Sequence, residues 1–163
     1  MKTINYFALA ILLAFSAISC KTTSNLTSYS TEATDSAILA QDYQFVPTMA
    51  IPTQMRNVSL SSSFSLKVSP AEINSYLPYF GRAYSAPIDP SEGGIRFVSK
   101  DFTYKIEEKK NKSYEITIET KDTPQRTKFY ISTSDKGYTN VRVQEDNRQS
   151  ISFNGNIMPN ISE

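Results

Sequence analysis

A dense aromatic stretch from Leu77 to Tyr84 has the residue types and spacing best suited to binding chemistry. Within eight residues it holds Tyr79, Phe80 and Tyr84, together with Arg82. Aromatic faces suit sugar rings and apolar bodies, and the guanidinium of an arginine suits a carboxylate or a phosphate. One hypothesis therefore makes Tyr79, Arg82 and Tyr84 the wall and polar handle of a ligand mouth.

The competing interpretation makes the same stretch a structural cover over one end of the fold. Aromatic clusters serve core packing more often than recognition. Arg82 would then hydrogen-bond loop carbonyls, while Arg148 and Gln149 tie the last hairpin to the cover. The candidate residues of the two hypotheses are Tyr79, Phe80, Gly81, Arg82, Tyr84, Gly93, Gly94, Arg96, Arg148 and Gln149.

Catalytic chemistry is limited because the chain has no histidine and only one cysteine. The usual ligands of zinc, haem and iron–sulfur centres are missing, and so is the histidine base of a serine or cysteine triad. We therefore expect no metal, no cofactor and no catalytic residue of these kinds. Carboxylates are the remaining option, since two of them can hydrolyse a glycoside.

The acidic side chains nearest to an unusual loop, Asp89, Glu92 and Asp101, are the candidates for such a carboxylate site. Two further acidic pairs, Glu107-Glu108 and Glu145-Asp146, are expected at exposed strand ends or turns, where charge keeps an edge soluble. Paired acids without a supporting motif are usually solvated surface. We therefore expect a protein that is not an enzyme.

The single cysteine, Cys20, lies where an apolar stretch ends and a Ser/Thr-rich stretch begins. Lys2 and the apolar run from Tyr6 to Ile18 predict a signal peptide over residues 1–19, too short to span a bilayer comfortably. Ala17-Ile18-Ser19-Cys20 resembles the lipobox of bacterial lipoproteins. In a lipobox, signal peptidase cuts before a cysteine whose sulfur carries a diacylglycerol. The alternative is a simple secretory signal that leaves a free thiol, a liability in an oxidising compartment. We expect lipidation of Cys20, with acyl chains such as palmitate holding the protein at the membrane.

The residue after the cysteine and the overall charge indicate where the protein works. Lys21 is not acidic, which by resemblance to lipoprotein sorting rules predicts the outer membrane, on the periplasmic face in preference to the cell surface. The chain has 17 basic and 16 acidic side chains, and the signal peptide removes one basic residue, Lys2. Such a balance argues against nucleic acid as a partner. The expected partners are the membrane, through the lipid anchor, and a small molecule, glycan or protein of the envelope.

Residue patterns divide the chain and predict its fold class. Residues 20–34 are Ser/Thr-rich and predict a flexible tether, residues 35–157 a single β-rich domain, and residues 158–163 a C-terminal tail. Apolar residues at every second position predict strands over Tyr43–Ala50 and Val58–Val68, and in several short segments from Ile95 to Phe153. Short turns between the later segments predict an antiparallel meander. We expect an all-β domain of about eight strands, either barrel-like or a two-sheet sandwich.

Two short helices are expected beside these strands. The first covers residues 37–41, capped by Asp35 or Ser36. The second begins at Ser69-Pro70-Ala71-Glu72, where serine, proline and glutamate stand at the positions of a capped helix start, and ends near Leu77-Pro78.

Three motifs in a fixed order carry a family resemblance: LPYFGRAY from Leu77, GGIRF from Gly93 and NRQSISFNG from Asn147. They resemble a family of small lipoproteins of Gram-negative bacteria known only as a domain of unknown function, over roughly Ala33 to Ile157. The resemblance implies a predominantly β domain behind a lipoprotein signal and brings no activity or cofactor. We expect a non-catalytic envelope binding or interaction module. The alternatives are a carboxylate-based hydrolase of envelope glycans and a protein inhibitor or assembly accessory.

Overall fold

Short segments with alternating buried and exposed residues build this domain as strands. The computed structural model describes residues 31–82, 93–134 and 136–160. Its elements are α1 (Thr31–Leu39), β1 (Tyr43–Pro52), β2 (Val58–Ser59), β3 (Ser65–Val68), β4 (Ile73–Pro78), β5 (Gly94–Ser99), β6 (Phe102–Lys109), a 3-10 turn (Lys110–Lys112), β7 (Ser113–Thr120), β8 (Thr127–Thr133), β9 (Tyr138–Glu145) and β10 (Arg148–Pro159). Strands dominate the described ranges, which confirms the prediction of an all-β domain.

The ten strands form one antiparallel sheet that curls into a nearly closed, barrel-like shape. Their order is β5-β4-β3-β1-β10-β9-β8-β7-β6, with β2 paired to β1. Strands β6 to β10 are neighbours in sequence and in space, so the predicted meander is confirmed. The sequence left a barrel-like domain and a two-sheet sandwich open, and the structure has the barrel-like form. The order begins with β5 and ends with β6, so the two outer edges of the sheet belong to strands that follow each other in the chain.

The interior is filled by the apolar residues that alternate along the strands. Tyr43 of β1 and Phe129 of β8 are fully buried. Phe97 of β5 lies with its ring centre 6.1 Å from that of Phe129, so strands far apart in the sheet order meet inside. Helix α1 lies against β1 and β10 and buries Ile38. Burial of each such large apolar side chain contributes about 1.5–3 kcal/mol, and the core therefore joins both halves of the sheet.

Strands β1 and β10 approach each other closely at a bulge. Their register pairs Pro47 with Gly155 and then shifts, which leaves Thr48 as the extra residue of the bulge. A Cβ atom on Gly155 would lie 2.1 Å from the carbonyl oxygen of Val46. Only a glycine allows two backbones to come so near.

The predicted helix after Ser69 is wrong, because this segment is the turn of a hairpin between β3 and β4. The backbone N–H of Ser69 donates to the carbonyl oxygen of Glu72 at 2.9 Å, and Ser69 Oγ accepts from the N–H of Glu72 at 3.0 Å. A serine and a glutamate three residues apart thus close a turn instead of capping a helix. In the residues that follow, Ile73, Ser75 and Leu77 are buried alternately, and pairing with β3 and β5 on either side stabilises β4.

Three other bounds differ from the sequence expectations. The stretch Val58–Val68 holds two short strands, β2 and β3, separated by an exposed serine-rich turn. Helix α1 begins at Thr31 and ends at Leu39, so it is longer than the helix expected over residues 37–41 and starts inside the expected tether. Strand β10 continues to Pro159, past the expected end of the domain. The divided strand and the added β4 raise the count from about eight strands to ten.

Several predicted features lie outside the described residues. They are the signal peptide, Cys20, the first part of the tether, and the candidates Tyr84, Asp89 and Glu92. Within the described ranges, no helix has both the length and the apolar character needed to cross a membrane.

Candidate functional site

Tyr79 joins the aromatic motif to the last hairpin. It follows β4, and its hydroxyl lies 3.1 Å from the carbonyl oxygen of Arg82 and 3.0 Å from that of Gln149, donating toward both. The backbone N–H of Gln149 donates to the same Arg82 carbonyl at 3.2 Å. Gly81 lies against the phenol, since a Cβ atom there would be 2.6 Å from Tyr79 Oη. The segment after β4 is therefore tied to the start of β10.

Arg148, the first residue of β10, uses its guanidinium in three contacts. Its Cζ lies 4.4 Å from the ring centre of Tyr79, its Nη2 donates to the carbonyl of Gly94 at 3.1 Å, and its Nε donates to the Glu145 carboxylate. That carboxylate also accepts from Thr127 Oγ1 at 3.1 Å. The side chains of Arg148 and Glu145 are only 12% and 5% exposed. The two residues therefore form a buried ion pair.

We call the group Tyr79, Arg82, Gly94, Glu145 and Arg148 the clamp. It joins the segment after β4, the start of β5 and the turn between β9 and β10, which are distant in sequence. The phenol, the guanidinium and the carboxylate in the clamp all have protein partners. Breaking a buried ion pair costs about 3–5 kcal/mol because one charge is left unpaired. The chemistry of the clamp is thus directed inward, toward holding loops in place.

The remaining candidate residues take different positions. Arg96 has its Cζ 4.5 Å from the ring centre of Tyr76, on the exposed face of β4 and β5. Phe80 packs against the core and Gly93 is exposed. From the ten candidates of the sequence, the structure brings together Tyr79, Gly81, Arg82, Gly94, Arg148 and Gln149.

Of the acids considered for hydrolysis, only Asp101 lies among the described residues, and it is not part of the clamp. Asp101 is exposed, with its carboxylate 3.6 Å from Lys121 Nζ. Within the described ranges, no group of three or more potential metal-ligating residues is placed to hold a metal ion. Among the described residues, the carboxylate that bonds to a candidate residue of the motifs is that of Glu145, which belongs to the clamp.

The two acidic pairs differ from each other. Glu107 is exposed as expected and accepts from Lys109 Nζ at 2.8 Å, a hydrogen bond that lowers the pKa of this carboxyl. The expectation of an exposed Glu145 is wrong, because Arg148 supplies a charged partner inside the fold. A turn of two residues between β9 and β10 brings this pair together.

Asp122 stabilises the turn between β5 and β6 through its side-chain carboxylate. One carboxylate oxygen accepts from Ser99 Oγ, and the other accepts from the backbone N–H groups of Lys100 and Asp101 at 2.8 and 3.1 Å. The hydrogen bond from Ser99, followed by those from the backbone, lowers the pKa of Asp122 to about 2. The connection between β5 and β6 is thereby held against the loop that follows β7.

A depression of about 560 Å³ lies on the outer face, where β8, β9 and β10 run side by side. We call this surface the outer shelf. None of the described side chains lining it is charged, although 20% of the residues in the chain are charged. Its lining includes Thr48, Ser132, Ser134, Tyr138, Asn140 and Asn154.

Hydrogen bonds across the strands hold the polar residues of the outer shelf. The register places Ser132 opposite Asn140, and Asn140 opposite Asn154. Asn140 Nδ2 donates to Asn154 Oδ1 at 2.8 Å, and Thr48 Oγ1 donates to the Asn154 carbonyl at 3.2 Å. These four residues are exposed. The sequence analysis did not identify these residues as a site. The signal that could have found them is a set of uncharged polar residues at the outward positions of the predicted strands.

A second depression, of about 350 Å³, lies beside the clamp. Unlike the outer shelf it is lined by charged side chains, namely those of Arg142, Glu145, Asp146 and Arg148. Both depressions include residues of β9. One strand therefore borders a neutral depression and a charged one.

Comparison with known proteins identifies the domain. A model of the family described as Domain of unknown function (DUF4251) matches residues 26–157. The chain belongs to the DUF4251 family. No curated protein matches this DUF4251 chain.

A solved structure is similar to this DUF4251 protein in fold. It is the crystal structure of a DUF4251 family protein from Bacteroides eggerthii DSM 20697, determined at 1.95 Å resolution. The match has a TM-score of 0.60 at 10% sequence identity and covers 81% of this chain and 89% of that one. Membership of a family of unknown function is thus confirmed, while the lipoprotein character of that family and its three motifs stay predictions.

Proposed function

We propose that this DUF4251 protein is a non-catalytic binding module of the bacterial envelope, anchored by lipid, with the outer shelf as its binding surface. The supporting observation is a contrast in hydrogen bonding. The Arg148 guanidinium, the Glu145 carboxylate and the Tyr79 phenol of the clamp are paired inside the protein, whereas the outer shelf presents amides and hydroxyls around a depression of about 560 Å³. Small-molecule sites are typically concave surfaces with a few convergent polar groups.

The scarcity of free reactive groups supports a non-catalytic role. The chain has no histidine. Glu145 borders the charged depression, but its carboxylate is bonded to Arg148 and Thr127. An acid or nucleophile in glycoside hydrolysis must reach the substrate with that carboxylate. Incubation with envelope glycans is expected to release no product, and turnover would contradict this part of the proposal.

A role as inhibitor or assembly accessory would be favoured by a contiguous exposed apolar patch. The exposed large apolar side chains of the described residues are instead distributed over different elements. They are Leu39, Met55, Tyr76, Val98, Ile106, Tyr130 and Tyr138. Tyr76 and Val98 share the outward face of the paired strands β4 and β5, while the others are spread over further elements, which favours a small ligand at the outer shelf over a large protein interface.

The lipid anchor is proposed at Cys20. The apolar run before it, the lipobox-like residues and the absence of a second cysteine support this assignment. Intact-mass measurement of the protein extracted from its own membranes is expected to show an amino terminus at Cys20 that carries acyl chains. A Cys20→Ser variant is the control and should lose those chains. An unmodified amino terminus in the native protein would contradict the anchor.

The outer membrane, with the domain facing the periplasm, is the proposed location. Lys21 after the cysteine supports this choice. Protease added to intact cells is expected to leave the domain uncut, and cutting is expected only after the outer membrane is permeabilised. Cutting in intact cells, with a periplasmic protein remaining uncut as the control, would place the domain on the cell surface.

Binding itself is tested by thermal unfolding of the lipidated protein in detergent. The panel contains neutral oligosaccharides, acidic oligosaccharides and short peptides. A ligand at 100 times its Kd adds about 2.7 kcal/mol to the free energy of unfolding, so at least one class should raise Tm. If no class raises Tm, the binding function is wrong.

A further inference from the structure

We infer that the outer shelf binds a neutral oligosaccharide. This inference rests on the proposed binding function and names its ligand class. It is carried by three properties of the depression: its hydrogen-bonding groups, its exposed aromatic ring and the absence of charge among the described side chains that line it.

The hydrogen-bonding groups match the hydroxyls of a sugar. A sugar hydroxyl both donates and accepts, so it pairs best with a surface that offers donors and acceptors side by side. Asn140 uses one amide hydrogen toward Asn154 Oδ1. Among the described residues, no protein group bonds to Asn140 Oδ1 or Asn154 Nδ2. An acceptor and a donor on adjacent strands therefore remain for a ligand at the solvent-facing surface.

The same groups are held in place before a ligand arrives. Thr48 Oγ1 fixes the backbone of Asn154 from β1, and the amide of Asn140 fixes its side chain from β9. Side chains that are already ordered lose little conformational entropy on binding. A sugar hydroxyl gains little free energy when it replaces a hydrogen bond to water by one to protein. Binding of an oligosaccharide therefore depends on partners that are already ordered.

Tyr138 supplies an aromatic surface at the rim of the depression. Its side chain is 67% exposed, the largest exposed fraction among the large apolar side chains of the described residues. The turn before it is fixed, because Gly137 has a φ of 77°, its N–H donates to the Ser134 carbonyl at 3.0 Å, and its carbonyl accepts from the Ile157 N–H at 3.1 Å. A ring presented by a fixed turn can cover the apolar C–H face of a sugar while its hydroxyl stays in water.

The lack of charge decides between ligand classes. A carboxylate, phosphate or ammonium group on the shelf would lose water without gaining an ion partner, which is unfavourable. Charged ligands have an alternative beside the clamp, where Arg142, Glu145, Asp146 and Arg148 line the second depression. The two depressions thus predict opposite preferences on one molecule.

A buried hydroxyl adds to the capacity of the shelf. Ser134 Oγ is inaccessible to solvent and has no hydrogen-bond partner among the described residues. It lies in the wall of the depression, next to the turn that carries Tyr138. Rotation of the Ser134 side chain toward the depression, with the backbone of the turn unchanged, would give this hydroxyl a ligand group as its partner.

The test uses the lipidated full-length protein in detergent and measures Kd by isothermal titration. The probes are maltoheptaose and chitohexaose as neutral oligosaccharides, a galacturonic acid hexamer as the acidic one, and a hexapeptide. At least one neutral probe is expected to bind, and Asn154→Ala and Tyr138→Ala are each expected to weaken that binding about tenfold, which equals about 1.4 kcal/mol. Arg142→Ala, in the charged depression, is the matched control and should change it less than twofold.

The outcomes separate this inference from the function on which it rests. Binding of only the acidic hexamer or only the peptide would leave a binding module but overturn the neutral ligand class. Neutral binding that Asn154→Ala and Tyr138→Ala leave unchanged would overturn the outer shelf as its site. An absence of binding by every probe would overturn the binding function itself.

Discussion

The clamp and the outer shelf both involve β9 and β10, yet they use polar residues in opposite ways. The clamp directs Arg148, Glu145 and Tyr79 toward one another and toward backbone carbonyls. In the outer shelf, one hydrogen bond joins the side-chain amides of Asn140 and Asn154. The second polar atom of each amide faces solvent. A dense sequence motif thus marks internal bracing here, while the proposed binding surface is built from residues that are inconspicuous in the sequence.

The largest expected effect comes from breaking the clamp. Arg148→Ala leaves the Glu145 carboxylate buried and without its cation, so the free energy of unfolding should fall by about 3–5 kcal/mol. Urea unfolding of the full chain measures this loss. Arg142→Ala, on the exposed face of β9, is the matched control and should stay within about 0.5 kcal/mol of the wild type. A change below 1 kcal/mol for Arg148→Ala would contradict the structural role of the clamp.

A somewhat smaller loss of free energy of unfolding is expected for a substitution beneath the outer shelf. Gly155→Ala forces a Cβ atom against the Val46 carbonyl, and overpacking of this kind costs about 1–3 kcal/mol. Ser152→Ala on the same strand is the control and should be nearly neutral. Urea unfolding of both variants provides the comparison. If Gly155→Ala is as stable as Ser152→Ala, the backbones of β1 and β10 are not as close at the bulge as described.

Asp122 extends the comparison to a second internal brace, and here the expected effect depends on pH. Its pKa is about 2 in the folded protein against an ordinary value of 3.8. A lowered pKa in the folded state means that the stabilisation is present above the ordinary pKa and is lost as pH falls toward 2. Asp122→Asn should therefore lower Tm at pH 7, and its difference from the wild type should shrink as the pH approaches 2.

Thermal unfolding followed by circular dichroism at pH 7, 4 and 2 checks this pH dependence. Asp146→Asn, at the exposed turn between β9 and β10, serves as the control. A Tm difference for Asp122→Asn that is the same at all three pH values would show that its hydrogen bonds do not depend on the ionised carboxylate.

The smallest effect on stability is expected at the outer shelf. Asn154→Ala removes an exposed amide that makes one side-chain hydrogen bond, and the free energy of unfolding should change by less than about 0.5 kcal/mol. The same urea experiment as for the clamp measures it. A loss comparable to that of Arg148→Ala would remove the distinction between a bracing region and a binding region.

The sequence predicted those parts of the fold that depend on local alternation. Apolar residues such as Phe129 and Ile131, or Val141 and Val143, define a strand face whatever their neighbours, so β8 and β9 were predictable. The turn at Ser69 was not, because its hydrogen bonds resemble those of a helix cap and the pairing of β4 with two strands decided the outcome.

The candidate site followed the same division. The three motifs do meet, since Arg148 contacts both Tyr79 and Gly94. The burial of Glu145 depends on a three-dimensional partner that residue types alone did not reveal. The outer shelf depends on register, which places Asn140 beside Asn154 and Thr48 against the same residue. No local pattern specifies such a register in advance.

The pairing of β1 with β10 has a consequence for how the protein is made. Tyr43 lies opposite Pro159, so the first strand of the sheet obtains its longest partner from the last strand described. Contacts this distant in sequence form late and slowly. Until β10 has been synthesised, β1 has an unpaired edge and Phe45 lacks much of its covering. Ribosome-bound chains that stop before Arg148 should therefore remain protease-sensitive, and folding of this domain waits for the synthesis of β10.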